Sequence, residues 1–437
     1  MNLRRWLTPG IGIKRWLLVV FFGELGLAVA GSLLLRQVYA DAGTTGPVQS
    51  LLAFISLQFI PSVPRALLLA VAGVGLFGYG SYRVIQALMA PFRTRDGSPL
   101  VEVIYQKRFL ARGPRIVAIG GGTGLSVLLR GLKEHTSNLT AIVTVADDGG
   151  SSGILREQLG VPAMGDIRNC IVALADAEPL MGRLLQHRFP GDPATSLGGH
   201  AVGNLLIAAM TAIEGGDFEE AVRQVSRVLA VRGQVVPASP TPLTLHARRR
   251  DGVEVDGQSS IGRTTEIERV WITPREVRAS EDAVRAIAEA DLVVLGPGSL
   301  YTSLLPSLLL SEIRDAVAAA GGLRVYVCNV ATQQGETAGY DLADHLEALE
   351  AHTMAGLVDV VLANNQFRAR VPEAWTGEPV RLRWPAAGRS MPRLVLEDVV
   401  QPGNAHHHDP AQLASALLGI LEREVGVRRR AASPRSA

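Results

Sequence analysis

Residues 115–153 carry two apolar runs, and each closes in a glycine-rich polar loop. The run 116–119 enters Gly120-Gly121-Gly122-Thr123-Gly124, after which the apolar residues take helical spacing from Leu125. A strand that passes through a glycine loop into a helix presents bare backbone N–H groups at the helix start, a geometry suited to phosphate oxygens. One unit later Asp147 and Asp148 end the run 141–146 and precede Gly149-Gly150-Ser151-Ser152-Gly153. Carboxylates beside such a cradle suit a ribose, a metal ion or both.

Short β-branched runs alternate with amphipathic stretches over much of the chain after Gly113, the pattern of a parallel sheet covered on both faces. The alternation breaks after residue 153. Helical spacing at 166–177, 180–187, 201–214 and 218–230 reads as a helical insertion over the ligand crevice. Strands are predicted at 235–238, 243–249 and 253–255, the last two joined by Asp251-Gly252, a hairpin signal. Alternation resumes with strands at 270–272, 291–295, 324–330 and 358–363 and helices at 281–290, 342–350 and 410–422. Residues 376–392, rich in Gly, Pro and Arg, read as an irregular connection.

The chain has 437 residues, and its 47% apolar content is high. Residues 16–35 are apolar apart from Glu24 and match the length of a bilayer span; residues 66–89 form a second such stretch. Basic residues flank the pair and are sparse between them, so the expectation is a two-span hairpin at the cell membrane with both ends in the cytoplasm. Residues 1–112 would be this hairpin and its linker, 113–425 an α/β domain and 426–437 a disordered basic tail. The two cysteines, Cys170 and Cys328, lie in apolar runs and make no disulfide framework. A net charge of +2 with no aromatic-laced basic stripe argues against a nucleic-acid partner.

A dinucleotide fingerprint places a third glycine at 125, where this chain has Leu125, and no Gly-Lys-Ser/Thr follows to make a P-loop. Further loops share the strand–glycine–helix logic. Gly165-Asp166-Ile167-Arg168-Asn169 opens a helix with Asp166 as its cap and Arg168 as a planar fork for phosphate or carboxylate. In Gly198-Gly199-His200-Ala201-Val202-Gly203-Asn204, His200 and Asn204 stand four apart on one face and read as binding groups. Gly296-Pro297-Gly298-Ser299-Leu300-Tyr301 suits a second phosphate, or the base and ribose; Asn329, Thr332 and Gln333 add uncharged hydrogen-bonding groups. Open α/β sheets bind ligands at the carboxyl ends of their strands, so these loops should converge on one crevice. His406, His407 and His408 point in divergent directions before Asp409 and read as a solvated loop with an Asp cap.

Taken in order, GGGTG, ADDGGSSG, GDIRN, GHAVGN, GPGSLYTS and ATQQGET resemble the gluconeogenesis-factor family, the YvcK-type proteins, which are related to the 2-phospho-lactate transferases. The likeness runs from Arg115 to about residue 422, and the first 110 or so residues resemble the hairpin of membrane-anchored members. It implies a Rossmann-like three-layer domain with a mostly parallel sheet and a helical insertion. The implied ligand is a UDP-sugar, notably UDP-N-acetylglucosamine, and the implied role is control of cell shape, of cell-wall precursor synthesis and of carbon metabolism. Cell-wall precursor enzymes or regulators are the implied partners, a homodimer is left open, and no catalytic residue is assigned.

The site implied by the loops and the likeness together is Gly121, Gly122, Thr123, Gly124, Asp147, Asp148, Ser151, Ser152, Asp166, Arg168, Asn169, His200, Asn204, Gly298, Ser299, Tyr301, Asn329, Thr332 and Gln333. No cofactor is required; Mg²⁺ is the one that Asp147 and Asp148 would hold, as in the transferases, which move a phospho-lactyl group from a guanine nucleotide to a deazaflavin precursor. Gln334 replaces the proline of the family's TQPGET, and Gln258 stands near a position where Glu is common.

Overall fold

A computed structural model describes residues 109–175, 178–191, 197–367, 377–384 and 391–432, with single positions at 24, 61, 64 and 78. Contacts divide the chain into two compact units, Met1–Phe109 and Leu110–Ala437. The expected hairpin, residues 16–35 and 66–89, lies outside the described residues apart from those single positions. Among the described residues no helix is long and apolar enough to cross a membrane. The multi-pass membrane location expected from the sequence is corrected on that finding.

The second unit is built on seven parallel strands in the order β10-β9-β8-β7-β1-β2-β3. They are β1 (Ile116–Gly120), β2 (Leu139–Val143), β3 (Gln234–Pro237), β7 (Leu292–Leu295), β8 (Leu323–Val327), β9 (Val360–Asn364) and β10 (Arg393–Glu397). Every residue of β1, β7 and β9 is buried, as a sheet covered on both faces requires, and this is why the sequence shows continuous rather than alternating apolar runs there. Helix α1 (Gly122–Leu132) packs its apolar face, including Leu125, Leu128 and Leu129, into this core. The architecture is the expected Rossmann-like α/β layer structure.

Between β2 and β3 the chain inserts five helices: α2 (Gly150–Leu159), α3 (Gly165–Leu174), α4 (Glu178–Gln186), α5 (Val202–Ile213) and α6 (Phe218–Val228). The helices of the insertion match the expected ones except at the start, where Gly150, with φ of 46°, and the polar residues after it read as loop yet open α2; Asp166, expected to cap α3, lies in its first turn and the N-cap is Met164. Strands β4 (Thr244–Arg249), β5 (Glu254–Asp256) and β6 (Ile267–Thr273) form a separate antiparallel sheet in the order β5-β4-β6. Resumed alternation at 270–272 is therefore corrected: β6 pairs with β4 and does not join the parallel sheet.

The remaining helices are α7 (Gln258–Ile261), α8 (Glu281–Glu289), α9 (Leu305–Leu308), α10 (Ser311–Ala319), α11 (Leu342–His352) and α12 (Pro410–Ala432), with a π-helical turn at Leu300–Leu304. The hairpin β11 (Val400–Gln401) and β12 (Asn404–His408) corrects the solvated loop expected at the three histidines, while Asp409 caps α12 through the N–H groups of Ala411 and Gln412 as expected. Helix α12 also extends into the tail expected from residue 426, as far as Ala432.

Strand order fixes where a ligand can enter. From β1 the chain winds outward to β2 and β3; it then returns to the other side of β1 and winds outward again through β7, β8, β9 and β10. The chain leaves β1 toward β2 and β7 toward β8, in opposite directions along the sheet, and such a reversal places a crevice beyond the strand ends.

Candidate functional site

An open cleft of about 340 Å³ lies at that reversal. Its walls are the β1 loop (Gly121, Gly122, Thr123, Gly124), the β7 loop (Pro297, Gly298, Ser299, Ser303), the β8 loop (Asn329 to Gln333) and the histidines of β12. Nine residues expected at the site line it: Gly121, Gly122, Thr123, Gly124, Gly298, Ser299, Asn329, Thr332 and Gln333. None of the residues lining it is Lys, Arg, Asp or Glu.

Sterics explain the glycines. Gly122 has φ of 63°, a left-handed conformation that a side chain resists. At Gly124 a Cβ would stand 2.6 Å from the Pro297 carbonyl oxygen and 2.9 Å from the Gly298 Cα, so the two loops touch backbone to backbone there. Asn329 Oδ1 accepts the Gly298 N–H at 3.2 Å, and Gln333 Nε2 donates to Ser299 Oγ at 2.7 Å, which ties the β8 loop to the β7 loop.

At the helical turn after β7 two of the leading N–H groups are already taken. Glu336 Oε2 accepts the N–H groups of Tyr301 at 3.0 Å and Thr302 at 3.1 Å, and Oε1 accepts from Thr302 Oγ1 at 3.1 Å. Burial raises the Glu336 pKa to about 7, against the lowering effect of these donors and of Ser299. The sequence offers this loop for a second phosphate, or for the base and ribose; at the Tyr301 and Thr302 N–H groups a carboxyl of the chain fills the place a phosphate would take. Tyr301 is corrected with it: it is buried, its hydroxyl is 2.9 Å from that of Tyr340, and it stacks edge-on against His352.

A second group of expected residues forms a polar cluster against the β1 loop. Asp166 is the link, since a Cβ at Gly121 would strike its Oδ2. Burial, then repulsion from Asp147, raises the Asp166 pKa to about 6, while the Gly122 N–H and the Arg168 charge oppose the rise. Asp147 caps its own turn at the Gly149 N–H, 2.9 Å away, and its pKa is also raised, again chiefly by burial. Ser152 Oγ accepts the N–H groups of Met164 and Gly165, both at 3.0 Å. Ser151 Oγ lies 3.0 Å from His200 Nδ1 and accepts from Asn204 Nδ2 at 3.1 Å. Arg168 donates to Asn204 Oδ1 and Asn169 Oδ1.

Two expectations change here. Asp147 and Asp148 do not face one another's partners: Asp148 Oδ1 accepts the Ser259 N–H at 2.8 Å and packs against Gly257, whereas Asp147 faces Ser152 and Asp166. Among the described residues no group of three His, Cys, Asp or Glu side chains is arranged to hold a metal by itself. Asn204, 1% exposed and bonded at both ends of its amide, is a strut within the cluster, and the structure does not bring it to the cleft.

Sequence reasoning missed Glu336 and the histidines of β12. The pattern Gln-Gly-Glu-Thr shows a turn but not that its acid reaches a helix start 35 residues earlier. The histidines give no apolar alternation to mark a strand, although His408 is buried and burial depresses its pKa to about 4.

A crevice at the strand reversal, walled by glycine loops, is the ligand crevice of an open Rossmann-like α/β sheet. The family described as 2-phospho-L-lactate transferase CofD matches residues 116–379. The gluconeogenesis factor of Bacillus subtilis is 50% identical over 320 residues, 72% of this chain and 100% of its own. A relative from Nostoc sp. is 42% identical over 427 residues, 95% of this chain and 91% of its own. A crystal structure of a protein from Bacillus halodurans superposes with a TM-score of 0.65 at 42% identity, covering 70% of this chain and 100% of that one. The chain belongs to the CofD family, in its gluconeogenesis-factor group.

Proposed function

We propose that the cleft binds a UDP-sugar, UDP-N-acetylglucosamine in particular, and that the protein uses this binding to regulate cell shape, cell-wall precursor synthesis and carbon metabolism. The observation that carries the reading is the cleft at the β1/β7 reversal, lined by glycine-loop backbone, hydroxyls, amides and imidazoles. Such a lining suits a ligand with many hydroxyl and amide groups. The curated name of the Bacillus subtilis relative, gluconeogenesis factor, supports the metabolic part. Thermal unfolding of the full chain tests it. A hundredfold excess of UDP-N-acetylglucosamine over Kd adds about 2.7 kcal/mol of stability, and NAD and GTP add none. Absence of a shift with every UDP-sugar contradicts the reading.

The match to the transferase family and the half-buried acids favour a second reading, a Mg²⁺-dependent transfer of a phospho-lactyl group from a guanine nucleotide to a deazaflavin precursor. The residues fit the ion: Asp147 and Asp166 are hard oxygen donors, and Mg²⁺ is commonly held by one or two carboxylates together with substrate phosphates. Mg²⁺ bound there would offset charge on the nucleotide phosphates. In this reading the residues of the chain bind and orient: Asp147 and Asp166 hold the ion, and the β1 loop holds a phosphate. Release of GMP on addition of the deazaflavin acceptor and Mg²⁺ is the expected result; its absence at saturating substrates leaves the binding role.

A further inference from the structure

The polar cluster holds a positive charge that its nearest partners do not balance. Arg168 is 8% exposed, and its guanidinium has five N–H donors. Its two bonds go to neutral amide oxygens: Nη1 donates to Asn204 Oδ1 at 3.1 Å and Nη2 to Asn169 Oδ1 at 3.2 Å. Nε is buried and has no hydrogen-bond partner. Asp147 and Asp166 feel the charge without bonding to it, and Arg188 adds a second positive charge nearby. Burial, followed by Arg188, lowers the pKa of Arg168.

The surroundings are built for this side chain. A Cβ at Gly203 would stand 2.7 Å from the Arg168 Cγ and 2.8 Å from its Cδ, so only glycine lets the stem pass. Asn204, the next residue, orients the head and is itself held by Ser151. An aspartate at 204 would orient the head equally well, but it would also neutralise it. The amide positions the guanidinium and leaves its charge for something else.

Asp147 and Asp166 stand near the charge, but a buried guanidinium bonded only to amides, with Nε unpartnered, is costly until an acceptor takes its remaining donors. We propose that Arg168 receives a phosphate-type anion, and that Gly203 and Asn204 are its positioning residues. The proposal rests on the nucleotide-sugar reading of the cleft and deepens it: the ligand's negative charge goes to the cluster against the β1 loop, and its uncharged remainder goes to the cleft, whose lining carries no formal charge when the imidazoles are neutral. The anion can be the diphosphate of the nucleotide sugar or free phosphate.

The test titrates UDP-N-acetylglucosamine and, separately, inorganic phosphate into the full-length protein and into Arg168→Gln, Arg168→Lys and Asn204→Asp, with the Tm of each ligand-free variant. At least a tenfold loss of UDP-N-acetylglucosamine affinity is expected in Arg168→Gln and in Asn204→Asp, with a smaller loss in Arg168→Lys. Asn204→Asp keeps its Tm, because the new carboxylate pairs with the arginine. If Arg168→Gln fails to fold, Asn204→Asp decides.

Loss of phosphate binding alone in the variants supports the proposal with free phosphate as the source. Wild-type protein that binds phosphate through Arg168 but no nucleotide sugar supports it too, while overturning the nucleotide-sugar reading. Variants that bind both probes as the wild type does overturn the proposal. So does an Asn204→Asp that loses stability along with affinity, since that marks the network as purely structural.

Discussion

The loops after β1 and β7 begin alike and end differently. Each follows a buried strand at the sheet reversal, contains glycines and leads into a helical turn. After β7 the N–H groups of Tyr301 and Thr302 are taken by Glu336, so that turn carries an internal anion. After β1 the corresponding anion, Asp166, lies against Gly121 and Gly122 and shares its surroundings with Arg168 and Asp147. One loop is closed by its own chain, and the other is tied into a charged cluster. Both helix starts thus carry a carboxyl of the chain: Glu336 takes two N–H groups after β7, whereas Asp166 meets the Gly122 N–H alone after β1.

The largest expected effect breaks the closed loop. Glu336→Ala strands two buried N–H groups and a hydroxyl, at about 1–3 kcal/mol each, and urea unfolding should record a loss of several kcal/mol. Next is the contact between the loops. Gly124→Ala forces a Cβ against the Pro297 carbonyl and should lower stability by about 1–3 kcal/mol while weakening ligand affinity, because both walls of the cleft must shift. Gly122→Ala meets no atom closer than Ser303 Oγ at 3.7 Å, so its cost is the left-handed backbone alone, about 1 kcal/mol, with the loops still in contact.

The last test concerns pH and sharpens the comparison. Glu336 has its folded pKa raised from 4.5 to about 7, so the folded state binds the proton more tightly than the unfolded chain. Its contribution is present in full below pH 4.5 and is lost as pH rises through about 7, the reverse of an ion-paired carboxylate. Asp166 acts in the same direction over a lower window, between 3.8 and about 6. Relative to Glu336→Gln, the wild type should therefore gain stability between pH 8 and pH 5, measured by urea unfolding at each pH. A parallel pH profile for the two proteins contradicts the assignment of the buried carboxyl.

The sequence made the parallel sheet legible because residues buried on both faces of a strand leave continuous apolar runs, as in β1 and β7. The glycine loops were legible because their requirement is local. Sheet membership was not: β6 reads as one more strand, and only its partner, β4, shows that it belongs elsewhere. The directions of Asp147 and Asp148 were hidden for the same reason, since what separates them is the distant Ser259 N–H on one side and Asp166 on the other. Glu336 was invisible because a cap supplied from 35 residues away leaves no trace in either segment alone.

The central claim is that the ligand's phosphates lie on the β1 side of the reversal, toward Arg168. A crystal structure of the protein soaked with UDP-N-acetylglucosamine tests it most directly. The account predicts the sugar in the cleft between Gly121–Gly124 and the Ser299–Gln333 wall, the diphosphate turned toward the β1 loop and Arg168, and Glu336 still bonded to Tyr301 and Thr302. Diphosphate density at the N–H groups of Tyr301 and Thr302, with Glu336 displaced, would contradict it.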